Sequence, residues 1–220
     1  MASAPILCYV TERRTLPSPE PSALLARIRL AIVAGVDWIQ IREKDLPGRV
    51  LAELVRRAIA AAQGSSTRVI VNDRLDVAMA ARAAGVHLGG QSLPVAEVVR
   101  FVGAGLQNGP ARQSFLIGAS CHSLAEAQAA ERDGAHYSFF GPVFETPSKR
   151  KYGPPQGLGR LEELCRTVRI PILAIGGITL ENAADCLRAG AAGLAAIRLF
   201  QESQDLSELV RKLRALPTRR

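Results

Sequence analysis

Short, almost wholly apolar runs alternate along this chain with alanine-rich stretches in which apolar positions recur at helical spacing. The first pattern predicts strands covered on both faces, and the second predicts amphipathic helices. Four junctions share one arrangement: AlaGlyValAspTrpIleGlnIle at 34–41, AlaGlyValHisLeuGly at 84–89, AspGlyAlaHisTyrSerPhePhe at 133–140 and AlaGlyAlaAlaGlyLeuAlaAlaIle at 189–197. Each follows an alanine-rich stretch and passes through Gly into an apolar run. Gly just past a helix accepts the left-handed backbone that ends it, so the unit reads helix, Gly, strand.

The apolar runs predict eight strands at 6–11, 38–42, 68–72, 86–89, 115–120, 136–141, 171–176 and 194–197. Helical patterns separate them, as at 51–62 and 124–131, with Asp73 and Ser123 placed to cap helix starts. Eight βα units in a chain of 220 residues predict an α/β fold, a (β/α)8 barrel with its core over about 6–200 and a C-terminal helix after it. An open doubly wound sheet is the alternative, but eight strands are many for one sheet. Nothing rich in Gly, Ser and Pro interrupts the pattern, so residues 1–220 read as one domain.

Composition narrows the function classes. Hydrophobic residues at 48% and charged residues at 22% exclude a disordered tail, a collagen-like chain and a coiled coil. No apolar stretch approaches the roughly 18–20 residues of a membrane helix, and the first residues do not read as a signal peptide. Four widely spaced cysteines without a CxxC pair read as reduced core residues in a cytoplasmic protein. The net charge of +8 admits nucleic acid, an anionic membrane or phosphorylated small molecules. Aromatics at 5% leave little for stacking on bases, and the cations are scattered, so a phosphate ligand at one focused site fits best.

In a (β/α)8 barrel chemistry sits where strands end. The polar residues there are Thr11, Glu12, Gln40, Arg42, Lys44, Asn72, Asp73, Ser120 and His122. The loop at 141–157 adds Thr146, Ser148 and Lys149. Strand alternation would bring Gln40, Arg42 and Lys44 onto one face, where a planar fork and a mobile point charge suit a diphosphate. Salt bridges from Arg42 and Lys44 to Glu43 or Asp45 are the competing reading. Asp73 beside Asn72 suits Mg2+ carried on that diphosphate, or simply caps a helix. The 141–157 loop reads as functional or as a basic solvated surface.

IleGlyGlyIleThr at 175–179 would run the seventh strand into a helix N-terminus with bare amides, and IleArg at 197–198 ends the eighth. Together they match the phosphate site such barrels build after strands seven and eight. His87 and His136 lie within strands and read as core or supporting groups, whereas His122 is placed to exchange protons with a ligand. No spacing suggests zinc, and no GxSxG elbow suggests a serine hydrolase.

The ordered set GlnIleArgGluLys (40–44), AsnAsp (72–73), Ser-x-His (120–122), GlyProValPhe-x-Thr-x-SerLys (141–149) and IleGlyGlyIle (175–178) resembles the thiamine phosphate synthase/TenI family over roughly 6–200. The resemblance implies a (β/α)8 barrel. Its synthases join a hydroxymethylpyrimidine diphosphate to a thiazole phosphate and release pyrophosphate. It implies that Gln40, Arg42, Lys44 and Asn72 bind the pyrimidine diphosphate and that Asp73 holds Mg2+. Ser120 and Lys149 would also contact that substrate, with Lys149 near its departing charge. Thr146, Ser148, Gly177, Ile197 and Arg198 would hold the thiazole phosphate. The partners implied are phosphorylated small molecules, with neither nucleic acid nor membrane, and homo-oligomer formation stays open.

Two positions depart from the family pattern. Ser92 stands where synthases resemble one another in a metal-binding aspartate, and Arg198 replaces a small Ser at the phosphate. These departures bring in the TenI-type thiazole tautomerase, a metal-independent relative that CysHisSerLeuAlaGluAla (121–127) and PhePheGlyProValPheGluThr (139–146) resemble. His122 would then be its acid/base. A non-catalytic module that binds thiamine-related phosphates is the third reading.

Overall fold

A computed structural model describes residues 4–105, 115–146 and 154–218. Eight strands close into one parallel barrel in sequence order, which removes the open-sheet alternative. They are β1 (Ile6–Val10), β2 (Trp38–Ile41), β3 (Arg68–Asn72), β4 (Gly85–Leu88), β5 (Leu116–Cys121), β6 (Tyr137–Phe140), β7 (Ile172–Ile175) and β8 (Gly193–Ala196). Each falls within a residue or two of the run that predicts it.

The described helices are α1 (Pro21–Val33), α2 (Gly48–Ala62), α3 (Leu75–Ala80), α4 (Val95–Gly105), α5 (Leu124–Arg132), α6 (Gly157–Thr167), α7 (Ala183–Arg188), α8 (Arg198–Gln201) and α9 (Leu206–Arg214). No helix among the described residues is long and apolar enough to cross a membrane.

Alternation along the strands sorts side chains into two cores. Cys8, Val10, Ile70, Tyr137, Phe139, Leu173 and Ala195 fill the barrel. Leu7, Tyr9, Ile39, Ile41, Val69 and Val71 face outward, against helix residues such as Leu24, Ile28, Val55 and Leu213. The bulk inside one strand is matched by absence in the next. A Cβ on Gly118 would lie 2.1 Å from the Tyr137 ring, so the tyrosine occupies the space that Gly118 leaves.

Two expected helix caps come out differently. Ser123 Oγ accepts from the Glu126 amide at 3.2 Å and caps α5. Asp73 caps nothing: α3 starts after Arg74 without a side-chain cap, and Asp73 itself sits in left-handed backbone at φ 68°. Its amide donates to the His87 carbonyl at 2.8 Å, which turns the chain at the end of β3 and leaves the side chain exposed at the barrel mouth. The cysteines are all free, with Cys8, Cys121 and Cys186 buried. Burial pushes the Cys186 thiol up to about 12, as expected of inert core thiols.

Candidate functional site

The mouth of the barrel gathers the ends of all eight strands. On the β1–β2 side, Thr11 Oγ donates to Glu43 Oε1 at 2.6 Å and accepts the Arg42 amide at 3.0 Å. The buried Glu43 carboxylate also takes the Arg13 guanidinium at 3.1 Å, and Arg13 reaches Asp45 at 2.6 and 2.8 Å. This pairing holds the Asp45 carboxyl down at about 2. The competing reading of Arg42 is thereby corrected: Arg13 occupies both carboxylates, and Arg42 pairs with Glu12 at 3.1 Å instead. The expected alternation also stops short. β2 ends at Ile41, so Gln40 points into the barrel while Lys44 lies in the following turn, exposed.

Gln40 is 2% exposed and donates from Nε2 to Asn72 Oδ1 at 2.9 Å. Its Oε1 is buried without a partner among the described residues. A buried amide oxygen left unpaired costs about 1–3 kcal/mol, so a ligand N–H delivered there recovers that cost.

On the next strands, His87 is fully buried between two hydroxyls, with Nε2 2.9 Å from Ser120 Oγ and Nδ1 3.2 Å from Tyr137 OH. Burial pushes its imidazole down to about 3, which makes it a neutral orienting group. Ser120 is thus held in place by a histidine that the sequence marks only as a supporting group. The signal was the register, since His87 stands opposite Gly118 on β5. His122 is exposed; its Nδ1 contacts the Gly141 carbonyl and its amide donates to Glu126 Oε2 at 2.7 Å. His136 precedes β6, at the opposite end of the barrel, and accepts the Ile117 amide at 2.9 Å.

Across the mouth, the segment after β6 lies along the end of β7, with the Val143 amide on the Ile175 carbonyl and the Phe144 amide on that of Gly176. Gly177 has φ 68°, and a Cβ there would lie 2.6 Å from the Glu145 carbonyl oxygen, so only glycine fits. Arg198 donates to the Thr146 hydroxyl at 3.2 Å and joins this segment to the end of β8 beside Ile197. One expectation is corrected here. The Gly pair does not open a helix, because α7 starts only at Ala183. A turn in which Asn182 Oδ1 accepts the Thr179 amide and Nδ2 donates to the Gly177 carbonyl intervenes. The amides of Gly177 and Ile178 have no acceptor among the described residues. Ser148 and Lys149 lie outside the described residues.

Among the described carboxylates of the mouth, Glu12, Glu43 and Asp45 are paired with arginines, which leaves Asp73 for a divalent cation. Ser92 Oγ accepts the Gly89 amide at 2.7 Å and is spent on its own turn. No group of three or more His, Cys, Asp and Glu among the described residues is arranged to hold a metal ion. The described residues suit a Mg2+ ion that arrives on a diphosphate and takes one carboxylate better than an ion held by protein ligands alone.

Fold and mouth together define a (β/α)8-barrel protein whose strand ends present guanidinium, amide and hydroxyl donors around an opening. The chain belongs to the thiamine monophosphate synthase family, whose model matches residues 7–200. It is 46% identical to a thiamine-phosphate synthase of Methanoculleus marisnigri, over 94% of this chain and 92% of that one. It is 39% identical to a thiamine-phosphate synthase of Roseiflexus castenholzii, over 94% of this chain and 86% of the relative. Among solved structures, thiamine phosphate pyrophosphorylase from Pyrococcus furiosus superposes with a TM-score of 0.81 at 32% identity, over 96% of this chain and 95% of that one. A 3-hexulose-6-phosphate synthase, at 18% identity and a TM-score of 0.68, shares the fold.

Proposed function

We propose that this protein is a thiamine-phosphate synthase that condenses hydroxymethylpyrimidine diphosphate with thiazole phosphate, releasing pyrophosphate. The observation that carries the reading is the division of the mouth into two donor clusters. Gln40, Arg42, Asn72 and Asp73 cluster at β2–β3, and Gly177, Thr146 and Arg198 cluster at β6–β8, across a barrel closed in sequence order. A two-substrate condensation needs two such subsites facing each other.

The pyrimidine binds deep, with its N–H donors on the unpaired Oε1 of Gln40. Its diphosphate lies over Arg42, Lys44 and Asn72, and the family pattern assigns Lys149 to the departing charge. Ser120, oriented by the neutral His87, contacts the same substrate. Asp73 would hold the Mg2+ that arrives on the diphosphate, and the ion would supply neutralisation of the diphosphate charge. The C–O bond to the diphosphate breaks and its electron pair leaves with pyrophosphate, where Arg42 and Lys149 stabilise it. The lone pair of the thiazole nitrogen then forms the new C–N bond. The thiazole phosphate is fixed meanwhile by the Gly177 amide, the hydroxyls of Thr146 and Ser148, and the Ile197–Arg198 strand end.

No side chain need attack: Ser120 lies 2.9 Å from His87 Nε2, but burial pushes that imidazole down to about 3 and leaves it a weak base. His122 has no part in this step; it is the base only in the tautomerase reading, which the relatives named above do not support. The free thiols support a reducing, cytoplasmic setting. The test is pyrophosphate release from the two substrates with and without Mg2+. Metal-dependent release with thiamine phosphate formed is expected, and silence from the folded protein overturns the reading.

A further inference from the structure

Glu12 is more firmly placed than a rim carboxylate needs to be. Its backbone amide donates to Gln201 Oε1 at 3.3 Å, and its carbonyl accepts Gln201 Nε2 at 2.6 Å. Gln201 is 6% exposed and its Oε1 also accepts the Tyr9 hydroxyl at 2.8 Å, so one buried amide from α8 fixes both polar backbone groups of Glu12. The Glu12 carboxylate then divides between two guanidiniums. Oε1 takes Arg14 Nε at 3.0 Å and Oε2 takes Arg42 NH1 at 3.1 Å. Arg42 is fixed in turn by its amide on Thr11 Oγ at 3.0 Å. Both ends of the Glu12–Arg42 pair are therefore anchored through their backbones, and their side chains are 17% and 30% exposed.

We propose that Glu12 is a positioning residue, the counter-ion of the Arg42 anchor, and that its carboxylate competes with the diphosphate for that guanidinium. The inference rests on the diphosphate reading of Arg42. A guanidinium grips phosphate best with two parallel N–H groups, and Glu12 takes one of them at NH1. Among the described residues the Nε–NH2 edge of Arg42 is left for the anion, so Glu12 limits how the fork turns toward the diphosphate and competes with it through its charge. Glu12 also keeps a negative charge beside the anion. This weakens the grip most for the product that carries the most charge, and so favours release. Arg14, 60% exposed, is too solvated to cancel that charge.

The experiment is titration calorimetry with inorganic pyrophosphate in the presence of Mg2+. Glu12→Gln keeps the hydrogen-bond acceptor and removes the charge, so pyrophosphate should bind about five- to tenfold tighter, with product inhibition strengthened in parallel. Glu12→Ala should shift binding in the same direction and guards against a special property of glutamine. Glu53→Gln, on the outer face of α2 and 63% exposed, makes the same change in net charge and should leave affinity unchanged. Arg42→Ala should weaken binding, and Glu12→Gln added to it should no longer tighten. Unchanged or weaker binding in Glu12→Gln, with Arg42→Ala still impaired, overturns the counter-ion role alone. Unchanged binding in Arg42→Ala overturns the diphosphate reading and the inference with it.

Discussion

The Arg198 guanidinium donates to the Thr146 hydroxyl at 3.2 Å and so ties the segment after β6 to the end of β8. Thr146 is 8% exposed, while Arg198 reaches it from an exposed position and has no carboxylate partner among the described residues. A cation so placed is available to a phosphate lying over Gly177. Arg198→Ala should raise KM for thiazole phosphate about 10- to 100-fold and leave KM for the pyrimidine diphosphate within about twofold. Steady-state kinetics with each substrate varied separately would show it. Equal effects on both would mean that Arg198 acts on the fold of the mouth and not on one subsite.

Gln40 couples stability to binding in the opposite sense. Its Oε1 is buried without a partner among the described residues, so the folded protein bears a desolvation cost there. Gln40→Met fills similar volume and removes that cost, though it frees Asn72 Oδ1 to find water. Stability should stay within about 1 kcal/mol of the parent, while KM for the pyrimidine diphosphate rises about tenfold or more. Denaturant unfolding beside substrate kinetics separates the two. A large loss of stability would show that the Gln40–Asn72 bond, and not a ligand, is what the glutamine serves.

How far the mouth was legible in the sequence depends on the distance over which residues must be paired. Gln40 and Asn72 lie near the ends of adjacent strands, so strand-end placement alone puts them together, and the structure finds their amides 2.9 Å apart. The partners of Arg42 were not legible. Glu43 and Asp45 are nearer in sequence than Glu12, but Arg13 arrives from the β1 loop and takes both. Which cation wins depends on loop paths that strand periodicity does not encode. The same limit explains Lys44, whose alternation with Gln40 ends when β2 gives way to a turn at Ile41. It also explains the Gly pair, because the Thr179–Asn182 turn delays α7 by several residues. The closed barrel itself was legible because each βα unit repeats the same local pattern.

His87 should make itself felt in acid. Its imidazole, buried and held between Ser120 and Tyr137, is pushed down to about 3 from an ordinary value of 6.5. Between those values the unfolded chain binds a proton that the folded protein refuses. Its contribution is therefore complete above about pH 6.5 and is lost as pH falls toward 3, at up to about 1.4 kcal/mol per pH unit. Burial lowers His136 as well, so it adds to the same trend. His87→Gln should be less stable at pH 8 and should show a shallower loss between pH 6.5 and 4. Urea unfolding across that range measures both. Parallel curves for the two proteins would mean that His87 is protonated in the fold.

Ser92 is the position where a single substitution should change the metal requirement. Its hydroxyl accepts the Gly89 amide at 2.7 Å, a bond that one oxygen of an aspartate can also accept. In Ser92→Asp the turn should therefore survive, with the second carboxylate oxygen left free after β4, which pairs with β3, the strand that Asp73 follows. Two carboxylates instead of one suit Mg2+ better, since the ion takes oxygen ligands and few of them come from this protein. The Mg2+ concentration for half-maximal rate at fixed diphosphate should fall about tenfold, and Mg2+ titrated with pyrophosphate should show the same tightening by calorimetry. Unfolding stability should change by less than about 1 kcal/mol. If the Mg2+ midpoint is unmoved in a folded variant, position 92 does not face the ion proposed for Asp73, and a second carboxylate there adds nothing to metal binding.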